Sequence, residues 1–266
     1  MKTIHDIDFA QLYRTHMQAA GGREKPPQEW DARAKEMGKL TGTSSYVRDF
    51  VERMNLDGCD TLLDVGCGTG AIALALAPQL KRVYALDYSQ GMLDVLMKNA
   101  RTLGIDNVTP IRLAWEDDWR DVPICDVVTA SRSTTVMDMA DALTKLDAKA
   151  RRRVYLTNMA GGRFIDAEVA ELLGRSRPAL PDYIYIINLL YQMGRHPRLD
   201  YISSDNRLAG AKNFDEFVRK VTFAVGALRD DERERLKAWY EADPQRSQRG
   251  GAPFRWAFVA WERSQS

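Results

Sequence analysis

The residues best placed to do chemistry in this 266-residue chain stand in the run Leu62-Leu63-Asp64-Val65-Gly66-Cys67-Gly68-Thr69-Gly70. An apolar stretch of strand length ends in an acid, and the glycines that follow turn the chain and open its backbone to close approach. Dinucleotide folds also carry glycines after a first strand, spaced Gly-x-Gly-x-x-Gly. Here the spacing is Gly-x-Gly-x-Gly, with Asp64 just ahead of it. A carboxylate at that point repels a pyrophosphate and attracts a ligand that carries positive charge. One strand later, Val83-Tyr84-Ala85-Leu86-Asp87 ends in a second acid. It follows Gly66 by about 20 residues, the interval at which Rossmann-like folds hold a ribose.

A ligand with an ammonium, a sulfonium and a ribose diol meets both demands, and S-adenosyl-L-methionine (SAM) is such a ligand. Asp64 would face the ammonium, Asp87 the two ribose hydroxyls, and Gly66, Cys67, Gly68 and Gly70 would form the turn between them. Ser89 is placed to cap a helix whose apolar positions Met92, Leu93, Leu96, Met97 and Ala100 recur with a helical period, and Gly104 is placed to end it. On these residues, 62–130 resembles the class I SAM-dependent methyltransferases: Asp-Val-Gly-Cys-Gly-Thr-Gly is similar to their first motif and Ala-Leu-Asp-Tyr-Ser to their second. The whole chain also resembles a group of small prokaryotic methyltransferases of unassigned substrate, in Trp30-Asp31-x-Arg33-Ala34, Asp182-Tyr183-Ile184-Tyr185 and Arg255-Trp256-Ala257.

The resemblance implies a methyl transfer that leaves S-adenosyl-L-homocysteine (SAH), and it assigns expectations residue by residue. Tyr88 and Met92 suit either adenine contact or plain core. Relatives often carry Gly-Asp after the third strand, the acid accepting from the adenine amino group. This chain reads Leu113-Ala114-Trp115-Glu116-Asp117, so Trp115 would wall the adenine while Glu116 or Asp117 takes the hydrogen bond or merely forms a solvated turn. After the fourth strand, Ala130 and Ser131 would line the methionine end and Arg132 would face the acceptor, where a guanidinium grips a carboxylate or phosphate. Neither the Asn/Asp-Pro-Pro-aromatic run of amino-methylating nucleic-acid enzymes nor the Pro-Cys of cytosine C5 enzymes occurs there. The N-terminal segment, with Trp30 and Tyr46, would fold over the cofactor, and the tyrosine-rich 181–194 would build the acceptor pocket, with Tyr183 and Tyr191 in catalytic positions.

The elements that must position these groups alternate. Strand signals near Leu62, Tyr84, Val108–Leu113, Asp126–Ala130 and Arg153–Leu156, with helical patterns between most of them, predict an α/β fold with a mostly parallel sheet covered on both faces. By resemblance the sheet has seven strands and a Rossmann-like order, with Arg198–Ser203 and Phe254–Glu262 as its last two. One domain is expected: a helical cap over 1–55, a SAM-binding core over 56–160, a substrate lid over 161–212 that is a helical insertion after strand 5, and a part completing the sheet over 213–266. That last part holds helices near Phe214–Leu228 and Asp231–Ala242, and Gln245–Gly251 reads as a loop.

Lys plus Arg total 38 against 37 acids, so no general excess of positive charge grips a polyanion, although Arg163, Arg175, Arg177, Arg195 and Arg198 give the insertion a basic lean. Cys59, Cys67 and Cys125 show no metal-ligand spacing, and no apolar run is long enough to span a bilayer. A reduced cytoplasmic protein without membrane or metal partner is expected, acting on a small acceptor of anionic or aromatic character, with its oligomeric state left open. An RNA or protein methyltransferase and a non-catalytic SAM-binding regulator are the alternatives.

Overall fold

The computed structural model describes residues 3–22, 25–37, 44–163, 165, 167–175, 178–205, 208–243, 245 and 253–263. Arg177 and nearly all of the Gln245–Gly251 loop lie outside the described residues. The strands are β1 (Thr61–Val65), β2 (Arg82–Asp87), β3 (Val108–Arg112), β4 (Cys125–Ser131), β5 (Ala150–Met159), β6 (Arg198–Ser204) and β7 (Phe254–Glu262). The helices are α1 (Phe9–Ala19), α2 (Pro27–Met37), α3 (Ser45–Glu52), α4 (Ala71–Leu76), α5 (Gln90–Thr102), α6 (Met139–Lys149), α7 (Ala167–Leu172), α8 (Tyr183–Gln192), α9 (Phe214–Val225) and α10 (Asp230–Glu241).

The strands form one seven-stranded sheet in the order β3-β2-β1-β4-β5-β7-β6. β7 runs antiparallel to both of its neighbours, β5 and β6, and every other pairing is parallel. Successive residues of the inner strands feed opposite cores, as the two-residue period of a strand requires. Leu62, Val127, Tyr155 and Phe258 join α3, α4 and α5 on one face. Leu63, Val128, Leu156 and Val259 join α1, α6 and α8 on the other. A third, smaller core ties α7 to α9 and α10 through Val169, Leu173, Phe217, Val221 and Leu236. Helices of the expected lid and of the expected C-terminal part therefore share one core.

Local chemistry sets the ends. Ser89 caps α5 by accepting from the Met92 amide at 3.1 Å, and Gly104, at φ +67°, follows its last turn. α9 stops at Val225, short of Leu228, because Gly226 turns away at φ +86°. Among the described residues no helix is long and apolar enough to cross a membrane.

β1 and β4 lie side by side although their helices go to opposite faces, so the sheet has its switch point at the carboxyl ends of these two strands, where open α/β sheets bind ligands.

Candidate cofactor crevice and acceptor cavity

Three glycines shape the loop after β1, each for a different reason. All three lie in the left-handed region, at φ +64° for Gly66, +54° for Gly68 and +93° for Gly70. A side chain on Gly66 would collide with Ser133, whose hydroxyl donates to the Val65 carbonyl at 2.8 Å. At Gly70 a Cβ would press on Leu74 and Leu96, but a Cβ on Gly68 would meet nothing within 4 Å. Gly68 is the position where the loop faces open space. Cys67 is buried with its thiol 3.7 Å from the Gly68 carbonyl oxygen, and burial holds that thiol well above the usual range.

Asp64 is 2% exposed. Its carboxylate accepts from the Thr129 hydroxyl at 2.7 Å and from the Ala73 amide, in the first turn of α4, at 3.1 Å. Burial nonetheless pushes its pKa up to about 7. Asp87, 6% exposed, accepts from the Gly68 and Ser89 amides, both at 2.9 Å, and burial raises it too. Each Asp87 oxygen keeps a lone pair for a further donor. Neither acid has an ion-pair partner among the described residues, and Asp87 raises Asp64 further by repulsion. Two buried acids on adjacent strands without a cation are suited to a ligand that brings the positive charge and the hydroxyls itself.

Around the second acid the cap is tight. Asp31 of α2 accepts from the Ser89 hydroxyl at 2.6 Å and the Gly91 amide at 2.8 Å, and a Cβ on Gly91 would stand 2.9 Å from the Asp31 Cα. The Tyr88 hydroxyl donates to the Lys25 carbonyl at 2.9 Å, and burial raises this phenol to about 12. Met92 is buried under the same cap. Trp115 stacks on Trp119 with centroids 5.4 Å apart. Asp117 reaches back to accept from the Ala114 amide at 2.7 Å, and both it and Glu116 are exposed.

At the end of β4, the Tyr46 hydroxyl lies 2.9 Å from the Ser131 hydroxyl and 2.7 Å from that of Thr157, and burial raises the phenol. The Arg132 guanidinium sits over the Tyr46 ring, 4.2 Å from its centroid, and the Arg132 amide donates to Thr157 at 3.0 Å. At φ +57°, Arg132 is the one non-glycine residue with positive φ among those described, a conformation that a neighbouring constraint must hold. Tyr46 thus braces Ser131 and Arg132 from beneath, 2% exposed.

The predicted tyrosines part company. Tyr183, at the start of α8, shares a hydrogen bond of 2.8 Å with the Tyr201 hydroxyl, and Arg255 covers the Tyr201 ring. That cluster lies at the β6 edge of the sheet, on the crevice side. Tyr191 is at the far end of α8, against His196 and close to Arg195, which grips Asp147 just before β5 begins. It is not brought to the crevice. The basic lean of the insertion is also partly consumed: Arg175 holds the fully buried Glu232 at 2.6 Å, and Arg195 holds Asp147 at 2.9 Å. Among the described residues no group of three or more His, Cys, Asp or Glu is placed to hold a metal ion.

Sequence reading gave no role to Asp31, Thr157, Tyr13, Thr134 or Asn158. The last three line a narrow cavity between the ends of β4 and β5, roofed by α1 and by Gly162, Leu180 and Pro181. Tyr13, whose phenol burial raises, donates to the Val136 carbonyl at 2.7 Å.

Comparison with known proteins agrees with this fold. A family model described as a methyltransferase domain matches residues 62–155. A protein of Haemophilus influenzae described as uncharacterized is 39% identical over 97% of this chain and 98% of its own length. A solved coclaurine N-methyltransferase bound to N-methylheliamine and SAH superposes with a TM-score of 0.54 at 12% identity, covering 98% of this chain and 96% of that one. Magnesium protoporphyrin IX methyltransferase from Synechocystis PCC 6803, with bound SAH, gives 0.51 at 15% identity over 97% and 100%. The chain belongs to the same family as the Haemophilus influenzae protein and is a SAM-dependent methyltransferase of the Rossmann-like fold.

Proposed function

We propose that this enzyme methylates a small-molecule acceptor held between the ends of β4 and β5, beneath α1 and the segment 162–181. The observation that carries the reading is the narrow, uncharged cavity at the ends of β4 and β5, together with two buried acids at the ends of β1 and β2 that have no ion-pair partner among the described residues. A pocket so narrow that only the tip of a molecule enters it suits a small acceptor, and the even balance of 38 basic and 37 acidic residues offers no general grip on a polyanion.

The residues fit the cofactor. Asp64 would hold the methionine ammonium and Asp87, through its spare lone pairs, the ribose hydroxyls. The open side of Gly68 admits the ligand to the backbone, Tyr88, Met92 and Trp115 would flank the adenine, and Asp117 would accept from its amino group in place of the acid missing at Ala114. Bound SAM supplies an electrophilic methyl group on a sulfonium. Ser131 and Arg132, braced by Tyr46, would border the path between cofactor and acceptor. α1, which lines the cavity through Tyr13 and Met17, would help to exclude water there, and that favours an aligned transfer to a desolvated nucleophile.

The test is methyl transfer from radiolabelled SAM to pooled small acceptors, total RNA and total protein, each presented separately. Label in the small-molecule fraction is expected. Label confined to RNA or protein would contradict the reading, and SAM binding without label in any fraction would make the chain a regulator.

A further inference from the structure

The acceptor cavity contains one side chain whose orientation is fixed and whose hydrogen bonding is incomplete. The Thr157 carbonyl can only accept, so the Thr134 hydroxyl, 2.9 Å away, must donate its single proton there. Thr134 then has only lone pairs to offer Asn158, and the atom 3.1 Å from it must be the Asn158 amide nitrogen. This leaves Oδ1 of Asn158 at the other end of the amide, not bonded to Thr134. It is buried, in a residue 7% exposed, and has no hydrogen-bond partner among the described residues. A buried acceptor without a donor is costly, so such a group in a folded protein calls for a role.

The cavity that Asn158 lines is polar at Thr134 and Thr135, apolar at Met17, Met159 and Leu180, and free of charged side chains. It has room for one water-sized group, about 10 Å³. Only the tip of a substrate enters it. A carboxylate or phosphate tip would bring further lone pairs against Oδ1 with no cation to offset them.

We infer that Asn158 Oδ1 orients the acceptor substrate by taking a hydrogen bond from it, so that the substrate presents a hydroxyl or amino group there and not an acidic one. This rests on the small-acceptor reading above and narrows it. It moves the expected acceptor chemistry away from the anion suggested by Arg132. Asn158 is a positioning residue, and Thr134 sets which end of its amide faces the substrate.

The test uses three matched probes, benzyl alcohol, benzylamine and benzoate, titrated by NMR onto the full chain in the presence of SAH. The alcohol or the amine is expected to bind at the Asn158 side, and benzoate not to. Which of the two binds better separates a hydroxyl from an amino substrate. Asn158→Leu should weaken that probe by roughly tenfold, the loss of one buried hydrogen bond, with SAH affinity unchanged and Tm no lower. Thr134→Val releases the amide to rotate, and the preference over benzoate should shrink. Benzoate binding as well as the alcohol, unchanged probe binding in Asn158→Leu, or a lowered Tm in that variant would each overturn the inference. Donor preference with methyl label found only on RNA or protein would sink the small-acceptor reading and leave the Asn158 pairing standing.

Discussion

Asp31 accepts the Ser89 hydroxyl at 2.6 Å, and through it α2 is fastened over the start of α5. Ser89 is also the residue whose amide donates to Asp87 at 2.9 Å, so the cap and the expected ribose acid meet at one serine. The Ser89 hydrogen bond holds the Asp31 carboxyl below its ordinary range.

Asp31→Ala should therefore weaken SAH binding by roughly tenfold, about the effect of one lost charge-assisted hydrogen bond, without unfolding the chain. Calorimetry with circular dichroism on the same sample checks it. An unchanged affinity would mean that the cap does not depend on this contact.

Asp64 makes the cofactor site pH-dependent. Its folded pKa of about 7 lies above the ordinary 3.8, so its contribution to stability is fully present below that ordinary value and is lost as pH rises through about 7. A bound ammonium favours the ionised form. SAM affinity should rise from pH 5 to pH 8, with a proton released on binding at the acid end, measurable by calorimetry in buffers of different ionisation enthalpy. Asp64→Asn should flatten this profile, bind SAM weakly, and leave the ligand-free protein more heat-stable at pH 8.

The two glycines Gly66 and Gly68 should separate folding from binding. Gly66→Ala drives a methyl group into Ser133 at a positive φ and should cost about 1–3 kcal/mol of stability. Gly68→Ala meets no atom and should cost only about 1 kcal/mol, with its larger effect on SAH affinity. Urea denaturation and SAH titration of both variants distinguish the cases.

Arg132→Ala should lower kcat/KM far more than it changes SAH affinity, which should stay within roughly twofold of wild type. Arg132→Gly should fold at least as stably as Arg132→Ala, since glycine accepts φ +57° without strain. An equal fall of cofactor affinity and turnover would move Arg132 into the cofactor site.

The cofactor half of the site was legible because its chemistry is local. Asp64, the glycine loop, Asp87 and Ser89 owe their positions to a strand, a turn and a cap, each readable within a few residues. The acceptor half is assembled at long range: Tyr13 meets Val136, Thr134 meets Asn158, and Tyr46 meets Ser131 and Thr157. No spacing rule marks such pairs. Tyr191 illustrates the converse, since a tyrosine-rich stretch suggested one pocket and the length of α8 carried Tyr191 away from Tyr183, toward the start of β5. Gly66, read as an opening for the ligand, is occupied by Ser133, a packing demand that only the folded β4 loop reveals.

The most direct measurement is calorimetric titration of SAM and SAH into the wild-type protein and Asp87→Ala. Micromolar binding of both ligands to the wild type, with a loss of roughly tenfold or more in a still-folded Asp87→Ala, is the expected result. Equal affinity in the two proteins, or no heat with either ligand, would contradict the assignment of the crevice at Asp64 and Asp87.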